Sequence, residues 1–437
     1  MRQKNFRTYL LLVLFLVGGL FLVRGDVLAQ DSCVSAKCHA TLLKGTTVHP
    51  VAETCESCHE SVETPHPKKG AKTFKLTQDQ PELCYTCHER FGEKKQVHFP
   101  VTGGMCTTCH NPHASDEPKL LMQPMKELCG TCHADHLDFK VLHGPVSAGS
   151  CTACHAPHES DNKALLLKEG QEVCFGCHLD MQDVVKKKNL HPALAGGCTS
   201  CHNPHGSAHP KLLAEEGQQV CFLCHSDIGD AVSNAPVAHP AVAAGCESCH
   251  SPHASDNPRL LINEEKEICL GCHGTILAKS MTVLHGPIGN GKCTPCHSPH
   301  GSENEKLLMK PFPTEAYIPY TDTEFALCFT CHKRELLQYR ETSFATNFRD
   351  GERNLHYLHV NNKEKGRSCR LCHVIHGGPG PKLIADSVPF GKWNLPLKFV
   401  KTETGGGCSP GCHKPQYYDR KSPGKKPEVQ KPASKSE

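Results

Sequence analysis

Apolar residues occur in this chain as one continuous run near the N-terminus and then as short groups that recur at regular intervals. The continuous run, Leu10 to Val23, has 14 residues, fewer than the roughly 20 that a membrane-spanning helix needs. The later groups place a leucine pair and one further apolar residue before a cysteine, as in KLLMQPMKELC, KALLLKEGQEVC, KLLAEEGQQVC and RLLINEEKEIC. This pattern predicts short helices, many loops and little sheet rather than long amphipathic elements.

The flanks of the apolar run are typical of a secretory signal peptide. Basic residues precede the run and small residues follow it: Arg2, Lys4 and Arg7 on one side, Val27-Leu28-Ala29 on the other. A retained membrane anchor is the alternative, but the run is short for that role. We expect cleavage after residue 29, export across the inner membrane and no membrane span in the mature chain. The expected location is the periplasm, with attachment to the outer membrane or release from the cell as alternatives.

The cysteines carry the main chemical signal. All 30 cysteines fall into fifteen pairs, and a histidine follows the second cysteine of every pair. Thirteen pairs have the spacing CxxCH: Cys55 and Cys58, Cys84 and Cys87, Cys106 and Cys109, Cys129 and Cys132, Cys151 and Cys154, Cys174 and Cys177, Cys198 and Cys201, Cys221 and Cys224, Cys246 and Cys249, Cys269 and Cys272, Cys293 and Cys296, Cys328 and Cys331, Cys369 and Cys372. Two pairs are stretched, Cys33 with Cys38 and Cys408 with Cys412.

This spacing is the attachment motif of haem c. Two thiols add to the two vinyl groups of one porphyrin, and the next residue places an imidazole under the iron. Zinc sites do not need a histidine directly after every pair, and a disulfide framework needs none. The fifteen proximal ligands are therefore His39, His59, His88, His110, His133, His155, His178, His202, His225, His250, His273, His297, His332, His373 and His413.

Most of the seventeen other histidines also stand at fixed distances from the motifs. One group lies three residues after a proximal histidine, mostly in CHxPH, with His66 as a looser member: His66, His113, His158, His205, His253, His300 and His376. A second group precedes a cysteine pair by a short link: His49, His98, His143, His191, His239, His285 and His359. We predict that these fourteen are distal iron ligands. Of His136, His209 and His356, one could serve the fifteenth iron.

Two histidines on an iron leave no open position and omit the methionine that raises the potential of other cytochromes c. We therefore expect low-spin, low-potential haems. A histidine three residues after a proximal one cannot turn back onto the same iron, so we expect it to reach a neighbouring haem.

The motifs define a two-haem repeat with a period of 45 to 48 residues between Cys106 and Cys293. Seven such units follow one extra N-terminal haem. We predict a signal peptide over 1–29, tandem repeats with haems 1–12 over 30–310, a C-terminal haem region with insertions and haems 13–15 over 311–413, and a disordered Lys/Pro/Ser tail over 414–437. About 27 residues per haem are too few for a protein core, so the haems should form it. The predicted fold is mainly irregular and elongated, with short α-helices and little β-structure.

The net charge of the polypeptide is informative only when the charges of the bound haems are added to it. The signal peptide carries four basic residues and one acidic residue, and the remaining chain has 44 of each sign. Fifteen oxidised haems would bring the net charge to about −15, because each adds two propionates and one ferric charge.

The units CTTCHNPHASD, CTACHAPHESD, CTSCHNPHGS, CESCHSPHASD and CTPCHSPHGS resemble those of multihaem cytochromes with doubled CxxCH motifs, including the decahaem periplasmic cytochromes and members inside outer-membrane porins. The CxxxxCH form is similar to that of tetrahaem cytochromes c3. The resemblance covers roughly residues 33–413 and implies closely stacked haems, bis-histidine ligation and electron transport. The fifteen motifs, two stretched sites and C-terminal insertions depart from those relatives.

The leading hypothesis is an electron carrier that acts as a molecular wire towards an outer-membrane conduit or an extracellular acceptor. Expected partners are donor and acceptor redox proteins: a quinol-oxidising membrane cytochrome, small cytochromes and an outer-membrane porin. No nucleic acid is expected. One alternative is a subunit of an extracellular cytochrome filament. A multihaem reductase is less favoured, because such enzymes place lysine in the catalytic motif and this chain has no CxxCK.

Overall fold

A computed structural model of the chain describes residues 33–34, 38–62, 65–411 and 413–424. The predicted signal peptide lies outside these residues, as do Cys412 and residues 425–437 of the predicted tail. The chain folds as two compact units. The first contains the residues up to Cys132 together with His155–Leu165, and the second contains His133–Cys154 and the residues from Leu166 on. The predicted boundary between residues 310 and 311 stays a prediction.

The helices are short, as the apolar pattern predicts. In the described part of the first unit the α-helices are Glu82–Tyr85, Phe99–Thr102 and Met125–Gly130, and the 3₁₀ turns are Ala40–Leu43, Cys55–Ser57, Cys106–Thr108, Pro118–Leu120 and Lys163–Leu165. In the described part of the second unit the α-helices are Gly144–Ser147, Leu179–Val184, Gln219–Phe222, Ser226–Asn234, Glu265–His273, Gly286–Gly289, Glu335–Gln338 and Leu355–Val360. Its 3₁₀ turns are Ala134–His136, Cys151–Ala153, Gly170–Gly176, Pro192–Gly196, Cys198–Ser200, Pro210–Leu212, Pro240–Ala244, Cys246–Ser248, Pro258–Leu260, Gly274–Ile276, Glu305–Leu307, Cys328–Thr330, Cys369–Leu371 and Pro381–Leu383.

Strands form small antiparallel ladders. The first unit contains Thr47–Val48 with Ala114–Ser115, His59–Ser61 with Phe74–Leu76, and Gln96–Val97 with Glu159–Ser160. The second contains Val141–Leu142 with Gly206–Ser207, Asn189–Leu190 with Ala254–Ser255, Val237–Ala238 with Gly301–Ser302, Val283–Leu284 with Gly377–Gly378, and Arg349–Asp350 with Arg353–Asn354. It also contains the hairpin Ser387–Phe390 with Trp393–Pro396 and a three-stranded sheet in the order Val400–Lys401, Gly405–Cys408, Gln416–Asp419. The mainly irregular fold with short helices and little sheet is confirmed.

Most two-residue ladders join one repeat to the CHxPH segment of the following one. Among the described residues, five of these ladders end at a pair of patterned histidines, because the backbone N–H of the earlier histidine donates to the carbonyl of the later one. The N···O distances are 2.8 Å for His49 and His113, 2.9 Å for His98 and His158, and 2.9 Å for His191 and His253. The ladders thereby fix two predicted iron ligands from successive repeats side by side.

A left-handed backbone turn follows the first motif of most repeats. Two successive residues have φ between 55° and 62°, a region that costs about 1–2 kcal/mol for a residue with a side chain. The turns are Lys119-Leu120, Ala164-Leu165, Lys211-Leu212, Arg259-Leu260, Lys306-Leu307 and Lys382-Leu383. A serine hydroxyl supports the turn in several repeats. In one of them Ser302 Oγ donates to Leu308 O at 2.5 Å and accepts from Asn304 N at 2.9 Å.

The protein core of the described residues is small and lies mainly near the C-terminus. One cluster is formed by Phe325, Leu337 and Val360, and a second by Leu371, Val388 and Leu397. Elsewhere the buried apolar side chains are Ala114, Phe175, Ala254 and Tyr418. The repeats therefore bury little apolar surface against protein, in accordance with the prediction that another group fills their interior.

The predicted disordered tail starts too early. Gln416–Asp419 pairs with Gly405–Cys408, and Tyr418 and Asp419 are buried. Asp419 Oδ1 accepts hydrogen bonds from the backbone of Lys421 at 2.7 Å and Ser422 at 2.9 Å. The prediction of disorder from residue 414 is therefore wrong for residues 414–424. Composition alone missed the short strand after the last motif, whose last two residues are buried.

Candidate haem-binding sites

Each of the thirteen CxxCH motifs holds its two cysteines and its histidine within one tight turn. In the motif of Cys106, the N–H of Cys109 donates to the carbonyl of Cys106 at 3.2 Å and that of His110 donates to the same oxygen at 3.0 Å. The same bonds recur in the motif of Cys246, where they measure 3.2 and 2.9 Å to Cys249 and His250. Among the described residues no cysteine forms a disulfide.

The left-handed turns fix the proximal imidazole of the first motif in six repeats. The carbonyl of the first residue in each turn lies 2.8–2.9 Å from Nδ1 of the proximal histidine nine residues before it: His110 with Lys119, His155 with Ala164, His202 with Lys211, His250 with Arg259, His297 with Lys306, and His373 with Lys382. A carbonyl can only accept, so Nδ1 carries the proton and Nε2 keeps its lone pair. This is the tautomer that binds a metal through Nε2.

Pairs of imidazoles face each other at one characteristic distance. Two imidazoles on opposite sides of one iron would have ring centres about 6 Å apart, since each metal–nitrogen bond is about 2.0 Å. Among the described residues eleven pairs of a proximal and a patterned histidine have ring centres 5.9–6.3 Å apart: His39 and His66, His88 and His49, His59 and His113, His110 and His158, His178 and His143, His225 and His191, His202 and His253, His273 and His239, His250 and His300, His332 and His285, His297 and His376.

The pairing follows a rule that the sequence did not show. A histidine that precedes a repeat faces the second proximal histidine of the same repeat, as His285 faces His332. A histidine in CHxPH faces the first proximal histidine of the preceding repeat, as His300 faces His250. It thus reaches across to a neighbouring motif rather than back to its own.

Burial and pairing both keep these histidines neutral. Burial lowers the pKa of His300, and His250 lowers it further. The same two causes lower the pKa values of His253, which faces His202, and of His49, which faces His88. A neutral imidazole is the form that binds a metal.

His356 is a candidate ligand that the sequence left open. It is half-buried, and desolvation lowers its pKa to about 4, with further contributions from His373 and then His359. Thr346 Oγ1 lies 2.9 Å from its Nδ1. The pKa of His359 is likewise lowered by burial first, and His413 is among the smaller causes. The signal was available in the sequence. No CHxPH follows His373, so its partner had to come from another position.

The other two unassigned histidines lie differently. The ring of His136 lies 4.3 Å from that of His205 and 5.8 Å from that of His133, and its Nδ1 lies 3.5 Å from Asp135. A separation of 4.3 Å is too short for an iron between the rings. His209 caps the turn Pro210–Leu212, and its backbone N–H donates to Ser207 Oγ at 3.0 Å.

The cysteine thiols show which motifs are neighbours. We number the motifs 1 to 15 in chain order. Burial raises the pKa of Cys84 in motif 3, and the thiols of Cys106 in motif 4 and Cys58 in motif 2 raise it further, which places these three motifs close together. Within the described residues of each unit, thiols of the other consecutive motifs shift one another's pKa values in the same way. The further pairs are Cys33 and Cys55, Cys109 and Cys132, Cys154 and Cys177, Cys174 and Cys198, Cys201 and Cys221, Cys221 and Cys246, Cys249 and Cys269, Cys269 and Cys293, Cys296 and Cys331, Cys328 and Cys369, Cys372 and Cys408.

Apolar side chains line the motifs but remain open to solvent. The second residue after the left-handed turn donates its N–H to the carbonyl of the second cysteine of the motif, at 2.9 Å for Met122 and Cys109 and 2.9 Å for Met309 and Cys296. These methionines are 51% and 55% exposed. A flat apolar ring attached to the cysteines would cover them, so the residues present fit haem c.

The doubled CXXCH motif family matches the chain over six segments: residues 49–93, 98–137, 143–183, 191–230, 239–277 and 285–336. Each segment contains two of the motifs described above and the histidine that precedes them. A search among curated proteins found no relative. Within the described residues, none of the helices has the length and apolar character needed to cross a membrane.

Proposed function

The chain belongs to the doubled CXXCH motif family and is a multihaem c-type cytochrome that transfers electrons, and on that premise we propose that it is a fifteen-haem molecular wire. The linear order of the motifs carries this proposal. In the described part of each unit, thiols of one motif shift the pKa values of thiols in the next motif along the sequence, which supports short distances between consecutive motifs. Electrons that enter at one end would therefore pass the sites in sequence order.

The proposed count is fifteen, with two histidines on every iron. The matched segments contain twelve motifs, and the remaining three are those of Cys33, Cys369 and Cys408. His39 of the first faces His66 at 5.9 Å. His356 and His359 interact with His373 and His413 of the last two. His356 thus joins the fourteen patterned histidines, which gives one distal ligand for each proximal one.

The irons, when bound, supply the change between the ferric and ferrous states, and the protein supplies position. The turns hold thiols and imidazole together, the left-handed carbonyls set the tautomer, and the ladders hold ligands from successive repeats. Two imidazoles on an iron leave no position for a substrate, which favours conduction over catalysis. We further propose that the signal peptide directs the protein to the periplasm, where it exchanges electrons with redox proteins of the inner and outer membranes.

Intact mass and spectroscopy of the holoprotein test this proposal. We expect a mass that corresponds to fifteen haems and loss of residues 1–29, and a low-spin electron paramagnetic resonance (EPR) spectrum from all irons. A mass that corresponds to twelve haems, or a large high-spin signal, would contradict it.

Single histidine variants test the ligand assignment. His356→Ala should convert about one fifteenth of the iron to the high-spin form, because the ferric iron at His373 would lose an axial ligand. His209→Ala is the matched control and should leave the spectrum unchanged. If both variants are fully low-spin, His356 is not a ligand.

A further inference from the structure

Charge is divided unevenly between the repeats and the C-terminal region. Residues 30–310 contain 24 basic and 31 acidic side chains, and residues 311–437 contain 20 and 13. The two parts therefore have net charges of −7 and +7. Bound haems increase the contrast, since each ferric haem adds about one negative charge and only three of the motifs lie after residue 310.

Several of the basic side chains surround the last motif. Lys401 pairs with Gly406, on the strand that ends at Cys408. Lys414 directly follows His413, and its carbonyl lies 2.7 Å from Nδ1 of that histidine. Both lysines are exposed.

Two further lysines flank the same motif from the hairpin and the residues after it. Ser409 N donates to Leu397 O at 3.2 Å, which places Lys398 beside the motif. Lys392 stands at the tip of the hairpin, and both lysines are exposed. Among the described residues, the ion pairs of the molecule involve none of these four lysines. Their charge is therefore available to a partner.

The only tryptophan of the chain lies in this basic region. Trp393 is 72% exposed at the tip of the hairpin. It shares a strand face with Leu395, because side chains two residues apart point the same way. Leu395 packs over Gly411 of the last motif, where a Cβ would lie 2.9 Å from its Cδ2. Trp393 is thus a large apolar side chain beside the motif with lysines around it. Tryptophan is enriched at the centre of protein interfaces, and charged residues belong to their polar rim.

We propose that the surface formed by Lys392, Trp393, Lys398, Lys401 and Lys414 is the docking site for an acidic redox protein, which exchanges electrons at motif 15. This inference rests on the proposed wire, in which motif 15 is one terminus. A second copy of the chain is a poorer occupant at its other terminus, since residues 30–90 carry seven basic and eight acidic side chains and are nearly neutral. Complementary charge would steer encounter, and Trp393 would provide apolar contact.

Electron transfer from a small acidic protein tests the surface. The probe is flavodoxin hydroquinone, mixed with the oxidised holoprotein in a stopped-flow instrument at low and high salt. We expect the second-order rate to fall as salt rises. The variant with Lys392, Lys398, Lys401 and Lys414 all changed to Gln should be about tenfold slower at low salt and lose most of the salt dependence. Trp393→Ala should be slower at every salt concentration.

The matched control changes four exposed lysines of the repeats, Lys168, Lys187, Lys188 and Lys279, to Gln. This control loses the same net charge as the first quadruple variant, and flavodoxin hydroquinone should reduce it at the rate of the parent protein. Equal slowing in the two quadruple variants would overturn the docking site, as would an unchanged rate in the first. Reduction by photoreduced lumiflavin, which is uncharged, should be the same in all variants, and incomplete reduction by it would instead contradict the wire. Light scattering that shows association between copies, abolished by the first quadruple variant, would assign the surface to a second copy and overturn the acidic partner.

Discussion

At the scale of single residues, the six left-handed turns are the least expected feature. Residues with a side chain rarely adopt positive φ, yet a lysine, arginine or alanine followed by leucine does so six times at the same distance from a proximal histidine. The strained conformation places a carbonyl oxygen within hydrogen-bonding distance of the proximal Nδ1, for example 2.9 Å between Lys306 O and His297 Nδ1. Hydrogen bonds of this kind make the imidazole a more basic ligand. The turn therefore positions the proximal imidazole, and we expect it to help set the potential of the haem.

The turn at Lys306 can be weakened without touching any ligand. Lys306→Val should disfavour positive φ, because a β-branched residue is strained there. We expect a loss of local stability, because valine is more strained than lysine at positive φ. We also expect a higher reduction potential for the one haem at His297, since its imidazole would donate less electron density. A spectroelectrochemical titration that resolves about one fifteenth of the absorbance measures the shift.

Two substitutions serve as controls for that experiment. Lys306→Gly removes the same side chain but permits positive φ, so it should keep the potential. Lys310→Val places valine at an exposed position outside the turn and should have no effect. An unchanged potential in Lys306→Val, with hydrogen exchange showing a loosened turn, would mean that the carbonyl orients the ligand without tuning it.

At the scale of elements, side chains tie the helix before one motif to the start of the next. Glu265 begins the helix that carries Cys269, and its Oε1 accepts from Cys293 N at 2.7 Å, Thr294 N at 2.8 Å and Thr294 Oγ1 at 3.0 Å. Burial alone would raise the pKa of Glu265, but these hydrogen bonds outweigh it and the pKa is lowered. The carboxylate is therefore an anionic cap that joins motifs 11 and 12.

Glu265→Gln should loosen this joint. The charge-assisted hydrogen bonds would become neutral, and we expect protection of the Cys293 and Thr294 amides from hydrogen exchange to fall about tenfold at pH 7. Because folding lowers the pKa of Glu265, its contribution is present above the ordinary glutamate pKa and is lost as the pH falls through the lowered value. The difference between variant and parent should therefore shrink below about pH 4.

Glu264→Gln is the control, because it removes a neighbouring exposed carboxylate outside this set of bonds. Hydrogen exchange followed by mass spectrometry of the segment around Cys293 measures all three proteins. A loss of protection in Glu265→Gln that persists unchanged at pH 3 would show that the cap does not act through its charge.

Short helices at the motifs could be predicted from the sequence, but the ladders could not. A strand such as Gly377–Gly378 has no intrinsic preference for extended structure and exists only because Val283–Leu284 pairs with it. The positions of the candidate ligands followed from their offsets to the motifs. Their partners did not, since His300 faces His250 through packing between repeats, and sequence offsets contain no information on that packing. His356 stayed one of three open candidates, because the sequence shows that no CHxPH follows His373 but not which histidine takes that place.

At the scale of the whole molecule, the part of the chain with most of the motifs has the smaller share of buried apolar side chains. Most buried apolar side chains lie after residue 311, whereas twelve of the fifteen motifs lie before it. The repeats must then owe their fold to the haems, because such short segments cannot bury enough apolar surface by themselves. The C-terminal region has both motifs and a core of its own, built on Phe325, Leu337 and Leu371.

This division predicts how the protein fails when haem is withheld. In a cell that lacks haem attachment, a low concentration of protease should quickly digest residues 33–310 of the exported apoprotein. The repeats would then lack the free energy of haem binding, which stabilises only their folded form. A fragment from near residue 313 to residue 424 should persist longer, because its two apolar clusters do not include the porphyrins.

Mass spectrometry of the digest identifies the surviving fragment, and Leu337→Ala, which should cost about 2–5 kcal/mol in that core, should abolish it. If repeat fragments survive in the apoprotein, or if both regions are digested at one rate, the fold of the repeats does not depend on the haems more than the fold of the C-terminal region does.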